Sequence, residues 1–128
     1  MESQITTNLW RVLGIDCNRK GAIVNCPADY YELLGSDCPE FKNWSLKVGD
    51  LSIAHLFVSN LDDVRNLFPV AAKKVNSGGA IWISWLKNPS QTTDLNEHTI
   101  QHVAEKHGFK MNTSILLNDS WWGVELLK

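Results

Sequence analysis

Residues 51–86, LSIAHLFVSNLDDVRNLFPVAAKKVNSGGAIWISWL, decide the fold. Two strongly apolar runs, 51–59 and 80–86, flank a stretch of helical periodicity. Neither run alternates apolar with polar residues as a strand with one wet face would. Strands covered on both faces read as continuous apolar runs, the mark of a parallel sheet between helices. Between the runs, Asn60 is placed to cap a helix. Leu61, Val64, Leu67, Phe68, Ala71, Ala72 and Val75 form its apolar face, and Gly78-Gly79 is its stop signal. Pro69 falls inside this pattern and predicts a kink or a restart, because it has no N–H and crowds the preceding turn.

Upstream, AIVNC (22–26) lies between Gly21 and Pro27 and reads as a strand. ADYYELLG (28–35) has helical spacing, with Tyr30, Leu33 and Leu34 on one face. WSLKV (44–48) alternates and reads as a further strand. ITTNLWRVLG (5–14) reads as a short helix or arm within an N-terminal stretch over 1–20. Downstream, a helix is expected to start at Asp94, or with Thr93 as the alternative cap. Ile100, Val103, Ala104 and His107 form its inner face, and Gly108 ends it. NTSILLN (112–118) and WWGVELL (121–127) form a hairpin around Asp119-Ser120. The whole is expected to be one α/β domain over 1–128. Its class is a Rossmann-like three-layer sandwich, a mostly parallel sheet closed by a C-terminal antiparallel hairpin.

Composition narrows the function classes. The chain has 128 residues, of which 44% are hydrophobic and 20% charged, enough for one core. The formal charge is -2, and the basic residues are scattered rather than gathered in a stripe, which argues against a nucleic-acid partner. No run approaches the ~20 apolar residues that cross a bilayer, and the N-terminus lacks a signal-peptide core. A cytoplasmic protein without a membrane partner is the expectation. Cys17, Cys26 and Cys38 match no zinc spacing and cannot all pair in one chain, so reduced thiols are expected. Cys26, ending an apolar run, reads as a small core residue.

The order of elements from residue 50 onward resembles the second half of class I methyltransferase-like Rossmann domains. DLSIAHLFVS is similar to their strand that opens with Asp, and SGGAIWISW to their Gly-Gly strand. A second resemblance spans most of the chain. NCPADYYELLG, HLFVSN, GGAIWISWLK, TDL and DSWWGVEL together are similar to a family of small bacterial domains of unknown function. That family carries W-x-x-W-P-K, T-D-L and D-x-x-W-S-G, and here Leu86 replaces the proline and Trp122 the serine. The second resemblance implies no reaction.

The first resemblance implies S-adenosylmethionine, which needs two anchors. One is a glycine-rich turn after the first strand, where backbone must approach the ligand; the other is an acidic residue ending the second strand. NCPADYYELLG has no glycine before Gly35, and Asp50 opens the next strand rather than ending one. No cofactor is therefore expected and the reading leans away from catalysis: a binding or interaction role leads, with a small-anion binder or enzyme sited at the strand carboxyl ends as the alternative and an S-adenosylmethionine-dependent methyltransferase as the remoter one.

Ligands of open α/β sheets sit at the strand carboxyl ends. The residues expected there are Asn25, Ser59, Trp85 and Lys87, with Asp29 and Asp94 opening the following helices. A lysine beside helix N-termini suits a small anion. The plainer reading of Lys87 is a solvated end-of-strand lysine, and of Asp94 an N-cap. Trp82 and Trp85 lie at odd spacing on one strand and so point to opposite faces, as do Trp121 and Trp122. The last two are candidates for an interface, with a protein partner or in a homodimer. His98 and His102 have the i, i+4 spacing of metal ligands, but no third ligand is placed beside them, so no metal site is assigned. His55, inside an apolar strand, reads as a hydrogen-bonded core histidine.

Overall fold

A computed structural model describes residues 13, 20–28, 30, 32, 49–87, 95–117 and 120–128. The arm over 5–14 apart from Leu13, the strand at 44–48, most of the helix at 28–35, the hairpin turn at 119, Asp29 and Asp94 lie outside these residues. Five strands, β1 (Gly21–Val24), β2 (Leu51–Phe57), β3 (Val75–Leu86), β4 (Lys110–Leu116) and β5 (Trp121–Leu127), form one sheet in the order β1-β2-β3-β5-β4. β1, β2 and β3 run parallel; β5 is antiparallel to both β3 and β4. Helices α1 (Leu61–Lys74) and α2 (Glu97–Glu105) pack on one face. Leu13 and the helical residue Tyr30 cover the other, so the expected three layers are present.

The apolar runs behave as their composition requires. Ala54, Leu56, Ile81, Ile83 and Trp85 point into the core under α1 and α2, whereas Ile53, Phe57 and Trp82 point into the second core. Trp82 and Trp85 thus serve opposite faces. Trp121 and Trp122 do likewise, each half-buried and each packed on a different core.

α1 starts where expected: Asn60 Oδ1 accepts the Asp63 N–H at 2.9 Å. Asp62 and Asp63 in its first turn and Lys73 and Lys74 in its last complement the helix dipole. Leu61, Val64, Phe68, Ala71 and Ala72 are buried at helical spacing. Two expectations for this segment are corrected. Pro69 does not restart the helix, which runs continuously through it and leaves the Arg65 carbonyl without its usual amide donor. The Gly-Gly pair does not stop the helix either, because Val75 already belongs to β3, paired with Leu51. The register then slips until Ile53 meets Ala80, with Gly78 at φ +85° inside the irregularity. At Gly79 a Cβ would collide with Val75 Cγ1 and lie 3.0 Å from the Asn76 carbonyl oxygen. The glycines therefore make a kinked strand entry rather than a cap.

α2 ends at Gly108 as expected but is corrected at its start and in the place of His107. Its N-cap is Asn96, not Asp94 or Thr93: Asn96 Oδ1 accepts the Thr99 N–H at 2.9 Å, and Thr99 Oγ1 accepts the Asn96 N–H at 3.1 Å. Leu95 and Ile100, before the cap and one turn in, share the core and staple the entry. At the other end Gly108 adopts φ +82°, the Phe109 N–H reaches the Ala104 carbonyl at 3.0 Å and the Gly108 N–H reaches that of Glu105 at 3.2 Å. This is a Schellman ending, and the glycine is needed for its left-handed step. It ends the helix before His107, which is exposed against the Phe68 ring rather than on the inner face.

Candidate functional site

Because β1, β2 and β3 are parallel, their carboxyl ends share one edge of the sheet. The start of β5 and the start of α2 lie at that edge too. At the end of β3, Trp85 stands directly opposite Trp122 of β5, with both side chains on the α2 face. Trp85, Leu95, Asn96, Glu97, His98 and Trp122 line an open groove of about 410 Å³. The backbone of Lys87 is pinned at its rim, donating its N–H to the Ser120 carbonyl at 2.7 Å. The Lys87 ammonium lies 5.8 Å from the Trp122 ring centroid, within cation–π range.

The expected site residues are thus only partly gathered. Trp85 and Lys87 meet around Trp122, and Leu95 and Asn96 of the α2 entry join them. Ser59 ends β2 as part of the α1 cap, its N–H donated to Asp63 Oδ2 at 2.8 Å, and it does not line the groove. Asn25 ends β1, two strands from β3 and so roughly 10 Å away, and is exposed at φ 59°. This left-handed step carries the chain off the sheet, which corrects the reading of Cys26: it is exposed, not a core residue. Asp29 and Asp94 fall outside the described residues. Trp121 packs edge-on against Phe57, with centroids 4.9 Å apart.

On the opposite face lies a polar arrangement that spacing alone did not assemble. His55 is fully enclosed in β2, its Nδ1 2.9 Å from the Tyr30 hydroxyl and its Nε2 2.7 Å from Ser84 Oγ. Its ring stacks on Phe57 at 4.3 Å. Burial lowers its pKa to about 3, so the imidazole is neutral, with one nitrogen donating and the other accepting. It is the hydrogen-bonded core histidine expected, tying the segment after β1 to β2 and β3. No solvent reaches Tyr30, His55 or Ser84 to make them a catalytic trio, since each is at most 1% exposed. Sequence spacing could not reveal the trio because its members lie on three separate elements.

No family model and no curated protein matches the chain. Solved structures do match in fold. A SAM-dependent methyltransferase from Aquifex aeolicus superposes with a TM-score of 0.59 at 9% identity, over 91% of this chain and 85% of that one. A protein assigned to the type 11 methyltransferases from Sulfolobus solfataricus gives 0.56 at 13% identity, over 94% and 89%. The magnesium protoporphyrin IX methyltransferase of Synechocystis PCC 6803, solved with bound SAM, gives 0.51 at 13% identity, and this chain spans 50% of its length. The architecture is therefore the Rossmann-like sandwich of the SAM-dependent methyltransferases, and at these identities the likeness is one of fold.

The residues described here do not fit S-adenosylmethionine. The turn after β1 carries side chains at Asn25, Cys26, Pro27 and Ala28, and Pro27 has no N–H to offer. The turn is further held by the chain itself, the Tyr30 N–H donating to the Pro27 carbonyl at 3.1 Å. Asp50 stands at the amino end of β2, away from the ligand edge, where its carboxylate accepts from Asn76 Nδ2 at 3.2 Å.

Proposed function

We propose that this chain is a methyltransferase-like domain that does not catalyse methyl transfer and acts as a binding or interaction module. The observation that carries this reading is the turn after β1. In this fold the turn must present bare backbone to the cofactor, and here it presents Asn25, Cys26, Pro27 and Ala28. The test is a titration of the full chain with S-adenosylmethionine, followed by thermal unfolding. A specific ligand at 100 times its dissociation constant would stabilise by about 2.7 kcal/mol. The expected outcome is no saturable shift; a saturable one refutes the reading.

A second reading is favoured by the groove. A small-ligand binder would use a concave, partly apolar site with a few polar groups at the sheet's carboxyl edge. Trp85, Trp122, Leu95 and the α2 entry supply such a surface, with Lys87 at its rim. On this reading the groove, rather than the turn after β1, is where the domain meets its ligand.

A further inference from the structure

We propose that the groove binds a small planar anion, its flat apolar body lying along Trp122 and Trp85 and its carboxylate between Lys87 and the start of α2. The inference rests on the second reading above and names the ligand class for that site. The groove's 410 Å³ falls in the range of about 300–1,000 Å³ typical of small-molecule sites. Its floor is indole and leucine. Trp85 is 8% exposed and lines the groove, and its indole N–H has no acceptor among the described residues. Asn96, Glu97 and His98 add polar groups to this lining.

Charge decides the class. The Lys87 ammonium already stands 5.8 Å from the Trp122 ring centroid, so a cation brought to that ring meets a like charge, and the Lys87 backbone is held by its bond to Ser120. A second ammonium would meet that charge, with only the Glu97 carboxylate in its favour. An anion gains Lys87 together with the first turn of α2. There Asn96 takes the Thr99 and Ile100 N–H groups, while those of Glu97 and His98 have no acceptor among the described residues. Glu97 opposes the anion, but it is exposed at the first helical position and can turn to water. The flat body is set by the walls: on adjacent strands, half-buried Trp122 offers an aromatic surface and Trp85 the small exposed part of its indole.

The experiment is a ¹H–¹⁵N titration of the full chain with three probes: 2-naphthoate, naphthalen-2-ylmethylammonium and acetate. The expected result is saturable binding of 2-naphthoate, moving the indole N–H signals of Trp85 and Trp122 and the amides of Glu97 and His98. The other two probes bind at least about tenfold more weakly, the ammonium for want of the charge-assisted contact and acetate for want of the ring that lies on the indoles. Lys87→Met, an exposed change that keeps the fold, weakens 2-naphthoate by a similar factor. Tighter or equal binding of the cation at the same residues would overturn the anion assignment and leave the groove as a site. An unchanged affinity in Lys87→Met overturns it as well. No response to any probe would sink the site itself.

Discussion

His55 Nε2 and Ser84 Oγ, on neighbouring parallel strands, lie 2.7 Å apart in a core from which water is excluded. With Tyr30 on the other ring nitrogen, both nitrogens are hydrogen-bonded to hydroxyls, and it is burial that keeps the ring neutral. Its folded pKa of about 3 lies well below the ordinary 6.5, so the unfolded chain binds the proton more readily. This group's contribution is therefore complete above about pH 6.5 and is lost as pH falls toward 3. The loss should be about 1.4 kcal/mol per pH unit within that window. Urea unfolding at pH 7, 6 and 5 measures it, and His55→Gln should be less steep than the parent chain by that amount.

Removing one partner leaves the other stranded. Ser84→Ala should cost about 1–3 kcal/mol, since His55 Nε2 has no other acceptor or donor among the described residues. Tyr30→Phe should cost less than Tyr30→Ala, because the ring also packs edge-on against Phe57 at 5.5 Å. Chemical denaturation of the three variants ranks them.

Gly123 pairs with Ser84, and a Cβ there would stand 2.9 Å from Leu117 Cδ2 and 3.3 Å from Ser84 Oγ. Gly123→Ala should therefore destabilise by roughly 1–3 kcal/mol through overpacking. Thermal unfolding would show an unchanged midpoint if the strands can part to admit the methyl group.

Pro69 sits inside α1, and its missing N–H removes the usual amide donor to the Arg65 carbonyl. Pro69→Ala restores that bond and improves helix propensity, offset in part by a freer unfolded chain. A gain of about 1–2 kcal/mol is expected, read as a higher denaturation midpoint at constant slope.

Asn96 carries the α2 cap on the groove's rim. Asn96→Ala should cost about 1 kcal/mol and loosen the first turn, which amide hydrogen exchange at Thr99 and Ile100 would report. The same variant should weaken 2-naphthoate, because the donors of Glu97 and His98 are no longer held in place.

The sequence by itself determined the layers. The runs 51–59 and 80–86 are apolar at nearly every position, and only a strand covered on both faces can bury such a run. It determined the opposed tryptophans for the same kind of reason, since the period of a strand is two residues and odd spacing means opposite sides. It also determined that the stretch after β1 carries no glycine before Gly35, which is read directly from the residues. Local bonding is less visible: Asn96 beat Asp94 to the cap, and Gly78-Gly79 kinked a strand instead of ending a helix. In both places several residues could form plausible short-range bonds, and packing of Leu95 and Val75 decided between them.

Only the tertiary structure decided what meets what. Trp85 and Trp122 are 37 positions apart by their numbers, and it is the β3–β5 register that sets them side by side. Tyr30, His55 and Ser84 meet because three elements converge on one buried face. Register and crossover are long-range choices, made by the whole core at once, and no local pattern encodes them.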